Sequence, residues 1–143
     1  MSDGVVRVIT ATDTDVAPTT VRAIVAGHGS FAVGIISAVE QITGRGASFL
    51  AMSNTGLCLD VIQGTLERAL DDTGARVVFT DLPAGSCTMA VRRMIRGRPG
   101  VVLVTGINLS LLLDFAMQES IDPIVAVQTA LVRGRASMAV HGV

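Results

Sequence analysis

The sequence predicts an α/β protein, an open, doubly wound, mainly parallel four-stranded sheet with helices on both faces. Two observations predict it. Four short apolar runs alternate with segments whose apolar residues recur at helical spacing. The 143 residues are also 50% hydrophobic and 16% charged, which supports one packed domain. Right-handed crossovers then place helices on both faces, and the order 2-1-3-4 is common for such sheets.

The first half of the chain predicts two strands and two helices. Val21–Gly27 is an apolar run that ends in glycine, as a buried parallel strand does. Ser30 can cap a helix whose apolar positions continue at helical spacing until Gly44. Ala47–Met52 is the second predicted strand, and a second amphipathic helix follows it and ends near Gly74.

The second half continues the alternation. A turn of small residues follows the third strand, and a proline stands where the last helix begins. The predicted elements are the strand Ala75–Asp81, the helix Cys87–Ile95, the strand Gly100–Gly106, and the helices Asn108–Glu119 and Pro123–Arg133.

The first twenty residues are predicted to be a tail. Thr10–Thr20 is rich in Thr and Asp and contains one Pro, which is typical of a polar linker, and chain termini are often loosely held. The packed domain is therefore expected to span residues 21–143.

The composition excludes several classes of function. All eleven basic residues are arginine, so the lysine-dependent phosphate loops, kinase sites and Schiff-base sites are excluded. A net charge of -1 without Trp or Tyr disfavours nucleic acid and a stacked flavin. The two cysteines fit neither a disulfide framework nor a metal site. We therefore expect no nucleic acid, cofactor or metal.

The distribution of charge predicts a cytoplasmic protein. The longest stretch without Asp, Glu or Arg is Ala23–Val39, which is shorter than the roughly 20 apolar residues that a spanning helix needs. The first twenty residues carry three aspartates and lack the continuous apolar segment of a secretory signal.

Three of the predicted strands are followed by polar side chains. His28 follows the first strand, Asp81 ends the third, and Asn108 follows the fourth. The carboxyl ends of parallel strands meet at one edge of the sheet, and the order 2-1-3-4 makes His28 and Asp81 neighbours. A carboxylate that accepts the Nδ1–H of an imidazole leaves Nε2 as a nucleophile.

The surroundings of His28 suit a phosphoryl group. Gly27 and Gly29 flank the histidine and allow a bulky group to approach its ring. Ser86 and the N–H groups of Ala84–Cys87 stand at a predicted helix start, where an anion is favoured without lysine. These parts together describe a histidine that accepts and donates a phosphoryl group.

Each residue also has a plainer interpretation. A single histidine after a strand is often structural, and Asp81 can cap the third helix. Gly85 and Ser86 can form an ordinary turn, and Asn108 can be a helix cap. The common placement of these residues at strand ends favours the functional interpretation. Cys87 can be a reactive thiol, but a packed small residue is the commoner case, and for Cys87 the plainer interpretation is preferred.

Three segments resemble one family, the mannose-family enzyme IIA domains of the bacterial phosphotransferase system. The run from Val25 to Gly34 is similar to that family's phosphohistidine segment. Phe79–Ser86 resembles its Asp-x-x-Gly-Gly-Ser segment, and Thr105–Leu113 its Gly-Val-Asn-Leu-Pro-Met-Leu segment. The likeness covers about residues 21–140, with the segments in the family's order and spacing.

The resemblance implies a function. His28 is then phosphorylated on Nε2 by the histidine phosphocarrier protein and passes the group to an enzyme IIB partner, while membrane permease subunits bind the sugar. Asp81 is implied to orient His28, and Gly29, Gly85, Ser86 and Cys87 to contribute to phosphoryl binding. Family members are typically homodimers that exchange a C-terminal strand, for which Ala136–Val140 is the candidate.

The chain departs from the family pattern at three positions. Ala84 replaces the first glycine of the second segment, Cys87 stands where proline often follows the serine, and Ser110 replaces a proline in the third. The resulting Ala-Gly-Ser-Cys-Thr sequence resembles the branch associated with amino sugars such as N-acetylgalactosamine. Two alternatives remain open at this point: the phosphoryl-donor subunit of a dihydroxyacetone kinase, and a non-catalytic binding module of flavodoxin-like shape.

Overall fold

Four parallel strands form one sheet in the computed structural model, which describes residues 6–12 and 20–143. Their order is β2-β1-β3-β4, as the sequence predicted. Ala26 of β1 pairs with Thr80 of β3, so these two central strands end side by side. The strands are β1 Ala23–Gly27, β2 Phe49–Ser53, β3 Val77–Thr80 and β4 Val102–Val104.

Five α-helices alternate with the strands, and a short 3-10 turn at Gly46–Ser48 precedes β2. The glycines predicted to end the first two helices, Gly44 and Gly74, do so in the left-handed conformation, with φ of 71° and 72°. The helices are α1 Phe31–Thr43, α2 Leu59–Thr73, α3 Ser86–Ile95, α4 Leu109–Met117 and α5 Pro123–Ala136.

Strand β4 is shorter than predicted, for a local reason. Gly100 and Gly106, the predicted limits of the fourth strand, have φ of 93° and 62°, a conformation that leaves the extended region. The strand β4 therefore contains only the three residues between these turns that pair with β3.

The sheet separates two apolar layers. Successive residues of a strand point to opposite faces. Val25 therefore joins the layer under α1, α4 and α5, whereas Ile24 joins the layer under α2 and α3. Three rings hold the centre of the first layer at centroid separations of 5.2–6.4 Å, and they belong to Phe49, Phe79 and Phe115.

Part of the segment predicted as a tail contacts the domain. Val8 forms a parallel bridge with Ala51 at the outer edge of β2, and the Ile9 N–H donates to the Ala51 carbonyl at 2.9 Å. An edge strand offers unpaired backbone groups, so a short apolar segment can be held there. Residues 6–9 thus pack on the sheet, while residues 1–5 and 13–19 of the predicted tail lie outside the described residues.

The segment predicted as an exchange strand overlaps the end of α5 by one residue. Ala136, with which it was predicted to begin, is the last residue of α5, and residues 137–143 form no strand with the described residues of their own chain. The pairing was predicted with a partner chain, so exchange stays a prediction.

Within the described residues, no helix is long and apolar enough to cross a membrane.

Candidate functional site

The ends of β1 and β3 bring His28 and Asp81 into direct contact. Both residues follow immediately after their strands, and these strands are neighbours in the sheet. One carboxylate oxygen, Oδ2 of Asp81, accepts from the backbone N–H of His28 at 2.8 Å. The same oxygen lies 2.8 Å from Nδ1 of the imidazole. With Nδ1 engaged in this way, Nε2 is the ring nitrogen left for chemistry.

The two side chains differ in exposure. Asp81 is 11% exposed, whereas His28 is 52% exposed. Burial acts to raise the pKa of Asp81, but the hydrogen bonds from the His28 backbone and ring outweigh it and hold that pKa below its ordinary value. The carboxylate therefore stays charged at neutral pH beneath a ring that faces solvent.

Two glycines let the backbone approach these side chains. A Cβ added at Gly27 would lie 2.9 Å from Oδ2 of Asp81, so a larger residue would push the carboxylate away. A Cβ added at Gly85 would lie 3.2 Å from Cε1 of His28, and its φ of 124° strains any other residue. The loop before α3 therefore passes so close to the imidazole that no side chain fits at Gly85 without a shift.

The N-terminus of α3 lies beside the histidine because its cap residue is Gly85. The first backbone bond of the helix runs from the Met89 N–H to the Gly85 carbonyl. The N–H groups of Ser86, Cys87 and Thr88 before it have no acceptor within the helix. Free N–H groups and the helix dipole together favour an anion at this end.

The loop between β3 and α3 is fixed by two threonines. The Oγ1 atoms of Thr80 and Thr88 are 2.7 Å apart, and Thr88 donates to the carbonyl oxygen of Leu82 at 2.6 Å. Both threonines are buried. These bonds hold the turn that carries Gly85 against the histidine.

The structure decides between interpretations that the sequence left open. Asp81 does not cap α3, whose cap is Gly85. Asn108 caps α4, where its side chain accepts from the Leu111 N–H at 2.9 Å. Its amide donates to the Gly134 carbonyl, so Asn108 joins two helices and is not part of the His28 cluster.

Cys87 cannot supply a reactive thiol. The residue is 1% exposed. Burial first, and the charge of Asp81 second, raise the pKa of the thiol to about 11. Cys87 can therefore contribute only its backbone N–H to an anion site. Gly29, by contrast, is a turn position, with φ of 53° and open space where a Cβ would stand.

One site residue was absent from the prediction. Asn54 follows β2, and its Nδ2 donates to Oγ of Ser86 at 2.7 Å. The signal was present in the sequence, because Asn54 stands at the end of a strand just as His28 and Asp81 do. The second strand was predicted to end at Met52, one residue early, which left Asn54 in an unassigned loop.

Most of the chain matches one protein family. The family model EIIA-man, described as PTS system fructose IIA component, matches residues 22–129. No curated protein sequence matches the chain.

Solved structures have the same fold. A phosphotransferase system component EIIA from Streptococcus agalactiae is 20% identical, with a TM-score of 0.75 over 84% of this chain and 96% of that one. A mannose/sorbose-specific IIA subunit from Enterococcus faecalis is 17% identical, with a TM-score of 0.73 over 86% and 96%. A PTS IIA protein associated with a fucose utilization operon in Streptococcus pneumoniae is 22% identical, with a TM-score of 0.68 over 82% and 90%. The family model carries the assignment and these folds agree with it: the chain belongs to the EIIA-man family of phosphotransferase system IIA components.

Proposed function

We propose that this chain carries a phosphoryl group on Nε2 of His28 in a bacterial sugar phosphotransferase system. The contact between His28 and Asp81 carries the proposal. Asp81 Oδ2 holds both the backbone N–H and Nδ1 of the histidine, which fixes the ring and its tautomer. The family supports a phosphotransfer role in sugar uptake, and this geometry supports His28 as its chemical centre.

The transfer step balances without an added base. The lone pair of Nε2 attacks the phosphorus of a phosphohistidine on the donor protein. The new N–P bond forms as the donor's N–P bond breaks, and the electron pair returns to the donor ring. His28 keeps its proton on Nδ1, so its ring becomes a positively charged imidazolium that carries the phosphoryl dianion on Nε2. The Asp81 carboxylate, 2.8 Å from Nδ1, then stabilises that positive charge.

The phosphoryl oxygens are held by hydrogen-bond donors in place of lysine. The chain contains no Lys. Free N–H groups at Ser86 and Cys87 and the Ser86 hydroxyl supply donors at the start of α3. Gly29 and Gly85 leave room for the group beside the ring.

The partners follow from this role. The donor is the histidine phosphocarrier protein, the acceptor is a histidine of an enzyme IIB, and permease subunits in the membrane bind the sugar. We place the chain in the cytoplasm, where these exchanges occur.

A homodimer completes the proposal. Strand β4 lies at the edge of the sheet, beside a groove of about 420 Å³ lined in part by Val104, Leu131 and Met138. The exposed C-terminal segment 137–143 of a second copy can pair with this edge and cover it. Sedimentation analysis is expected to show a dimer, and Val140→Asp to shift it toward monomer. A wild-type monomer at high micromolar concentration would refute the exchange.

The phosphorylation test uses the only other histidine as its control. The protein is incubated with phosphoenolpyruvate, enzyme I and the histidine phosphocarrier protein, and its intact mass is measured. The wild type and His141→Ala are expected to gain one acid-labile phosphoryl group, and His28→Ala none. An adduct that survives His28→Ala, or no adduct on the wild type, would overturn the proposal.

A further inference from the structure

Strand β2 contributes a polar group to the site through Asn54. The backbone N–H of Asn54 donates to the carbonyl of Gly27, the last residue of β1, at 3.0 Å. This bond ties the end of β2 to the residue before His28. Since it involves only the backbone, it persists when the Asn54 side chain is changed. The side chain is therefore open to substitution while its position in the fold is kept.

The hydrogen bond from Asn54 constrains the hydroxyl of Ser86. A serine hydroxyl has one proton to donate and two lone pairs to accept with. The Nδ2 group of Asn54 can only donate, and it donates to Oγ of Ser86 at 2.7 Å. Because an acceptor position of Oγ is occupied, the Ser86 proton is directed away from Asn54 and is free to be donated elsewhere.

The position of Ser86 gives that proton a target. Ser86 begins α3 and follows Gly85, where an added Cβ would lie 3.2 Å from Cε1 of the His28 ring. An anion at this helix end meets N–H groups, and a hydroxyl that donates adds to them. The same hydroxyl would oppose the anion if its lone pairs faced it.

We propose that Asn54 is a positioning residue for phosphoryl transfer, which holds the Ser86 hydroxyl as a donor to the phosphoryl oxygens on His28. This inference rests on the proposed function and deepens it. In other enzymes, complete removal of one preorganised hydrogen-bond donor lowers the rate by about 10²–10³, which sets an upper limit for the effect expected here. Asn54→Ala leaves the Ser86 hydroxyl in place, but its proton is no longer held in one direction and can rotate. We therefore expect a decrease of about tenfold in the rate of phosphoryl acceptance.

A double-mutant cycle distinguishes this role from a general loss of structure. Phosphoryl transfer from the phosphorylated histidine phosphocarrier protein is followed by rapid quench for the wild type, Asn54→Ala, Ser86→Ala and the double variant. The tenfold effect of Asn54→Ala is expected to disappear in the Ser86→Ala background. The maximal rate constant of transfer is expected to fall, while the carrier concentration that gives half of it stays unchanged and the melting temperature changes by no more than about 5 °C. Thr55→Ala, at the neighbouring exposed position, is the matched control and is expected to transfer at the wild-type rate.

A second variant reverses the direction of the hydrogen bond. Asn54→Asp has nearly the same shape, but its carboxylate can only accept, so it draws the Ser86 proton away from the phosphoryl group. We expect it to transfer at least as slowly as Ser86→Ala. Additive effects in the cycle, or wild-type transfer by both Asn54 variants, would overturn the role of Asn54 while leaving the proposed function intact. A wild type that accepts no phosphoryl group would instead overturn the proposed function.

Discussion

Replacing Asp81 with Asn removes one charge from the site and leaves the shape of the side chain almost unchanged. In the wild type, the backbone nitrogen and Nδ1 of His28 both lie 2.8 Å from Oδ2 of Asp81. The amide oxygen of the variant can still accept both hydrogen bonds. In the unphosphorylated state, the substitution replaces a hydrogen bond to a charged oxygen with a weaker one to a neutral oxygen, which costs about 1–2 kcal/mol.

The phosphorylated state loses more, because its ring is cationic. Two unit charges about 4 Å apart attract by about 4 kcal/mol at an effective dielectric of 20, the value suited to a partly exposed pair. For the ring and the carboxylate, the difference between the two states is about 2–3 kcal/mol; in both proteins the phosphoryl charge is met by the donors at the start of α3. Asp81→Asn is therefore expected to shift the phosphorylation equilibrium by roughly 30- to 150-fold toward the unphosphorylated protein.

The assay measures this equilibrium against the carrier protein. Fixed ratios of phosphorylated to free histidine phosphocarrier protein are mixed with the wild type or Asp81→Asn, and the phosphorylated fractions are separated by native electrophoresis. Asp71→Asn, which removes an exposed carboxylate paired with Arg98, is the control and is expected to match the wild type. A shift of less than threefold for Asp81→Asn would refute the role assigned to the carboxylate.

Three further predictions test the surroundings of the histidine. Gly85→Ala is expected to lower the free energy of unfolding by about 1–3 kcal/mol, since its φ is 124° and the new Cβ meets the imidazole. Gly64→Ala, in an open helical position, is the control for denaturant unfolding and is expected to be neutral or stabilising. Cys58 is exposed and is expected to react with iodoacetamide at pH 8, whereas Cys87, with a pKa of about 11 and only about one thiolate in a thousand, is not. In folded Cys58→Ser the remaining cysteine is Cys87, and its labelling by iodoacetamide would contradict its burial. The carboxyl carbon of Asp81, followed by NMR, is expected to titrate below the ordinary value of about 3.9. Its stabilising contribution is then complete above that value and is lost as pH falls through the lowered pKa. A titration midpoint at or above about 3.9 would contradict the hydrogen bonds that Asp81 accepts from His28.

The fold was predictable because short-range signals agreed with one another. Apolar runs and helical periodicity located the four strands and five α-helices of the described residues, though not the 3-10 turn at Gly46–Ser48, and Gly44 and Gly74 marked two helix ends. Strand lengths were less predictable, since glycines with positive φ shorten β4 and the extent of pairing sets the ends of the other strands. The segment at Val8 was missed because its pairing with β2 joins residues more than forty positions apart in the chain.

The candidate site was predictable to the extent that it follows from strand order. His28 and Asp81 stand directly after neighbouring strands, so the topology brought them together. Asn108 also follows a strand, but its side chain reaches its own helix and α5, a contact that depends on how the helices pack. Asn54 required the end of β2 to be known to within one residue. Such boundaries are set by tertiary pairing.

The position of the phosphoryl group on the chain tests the central claim most directly. Protein labelled with ¹⁵N at its histidines is phosphorylated by phosphoenolpyruvate, enzyme I and the histidine phosphocarrier protein, and long-range ¹H–¹⁵N spectra are recorded with and without phosphorus decoupling. We predict phosphorus coupling to one nitrogen, Nε2 of His28, while Nδ1 keeps its proton toward Asp81. Coupling to Nδ1 of His28, or to either nitrogen of His141, would contradict the account.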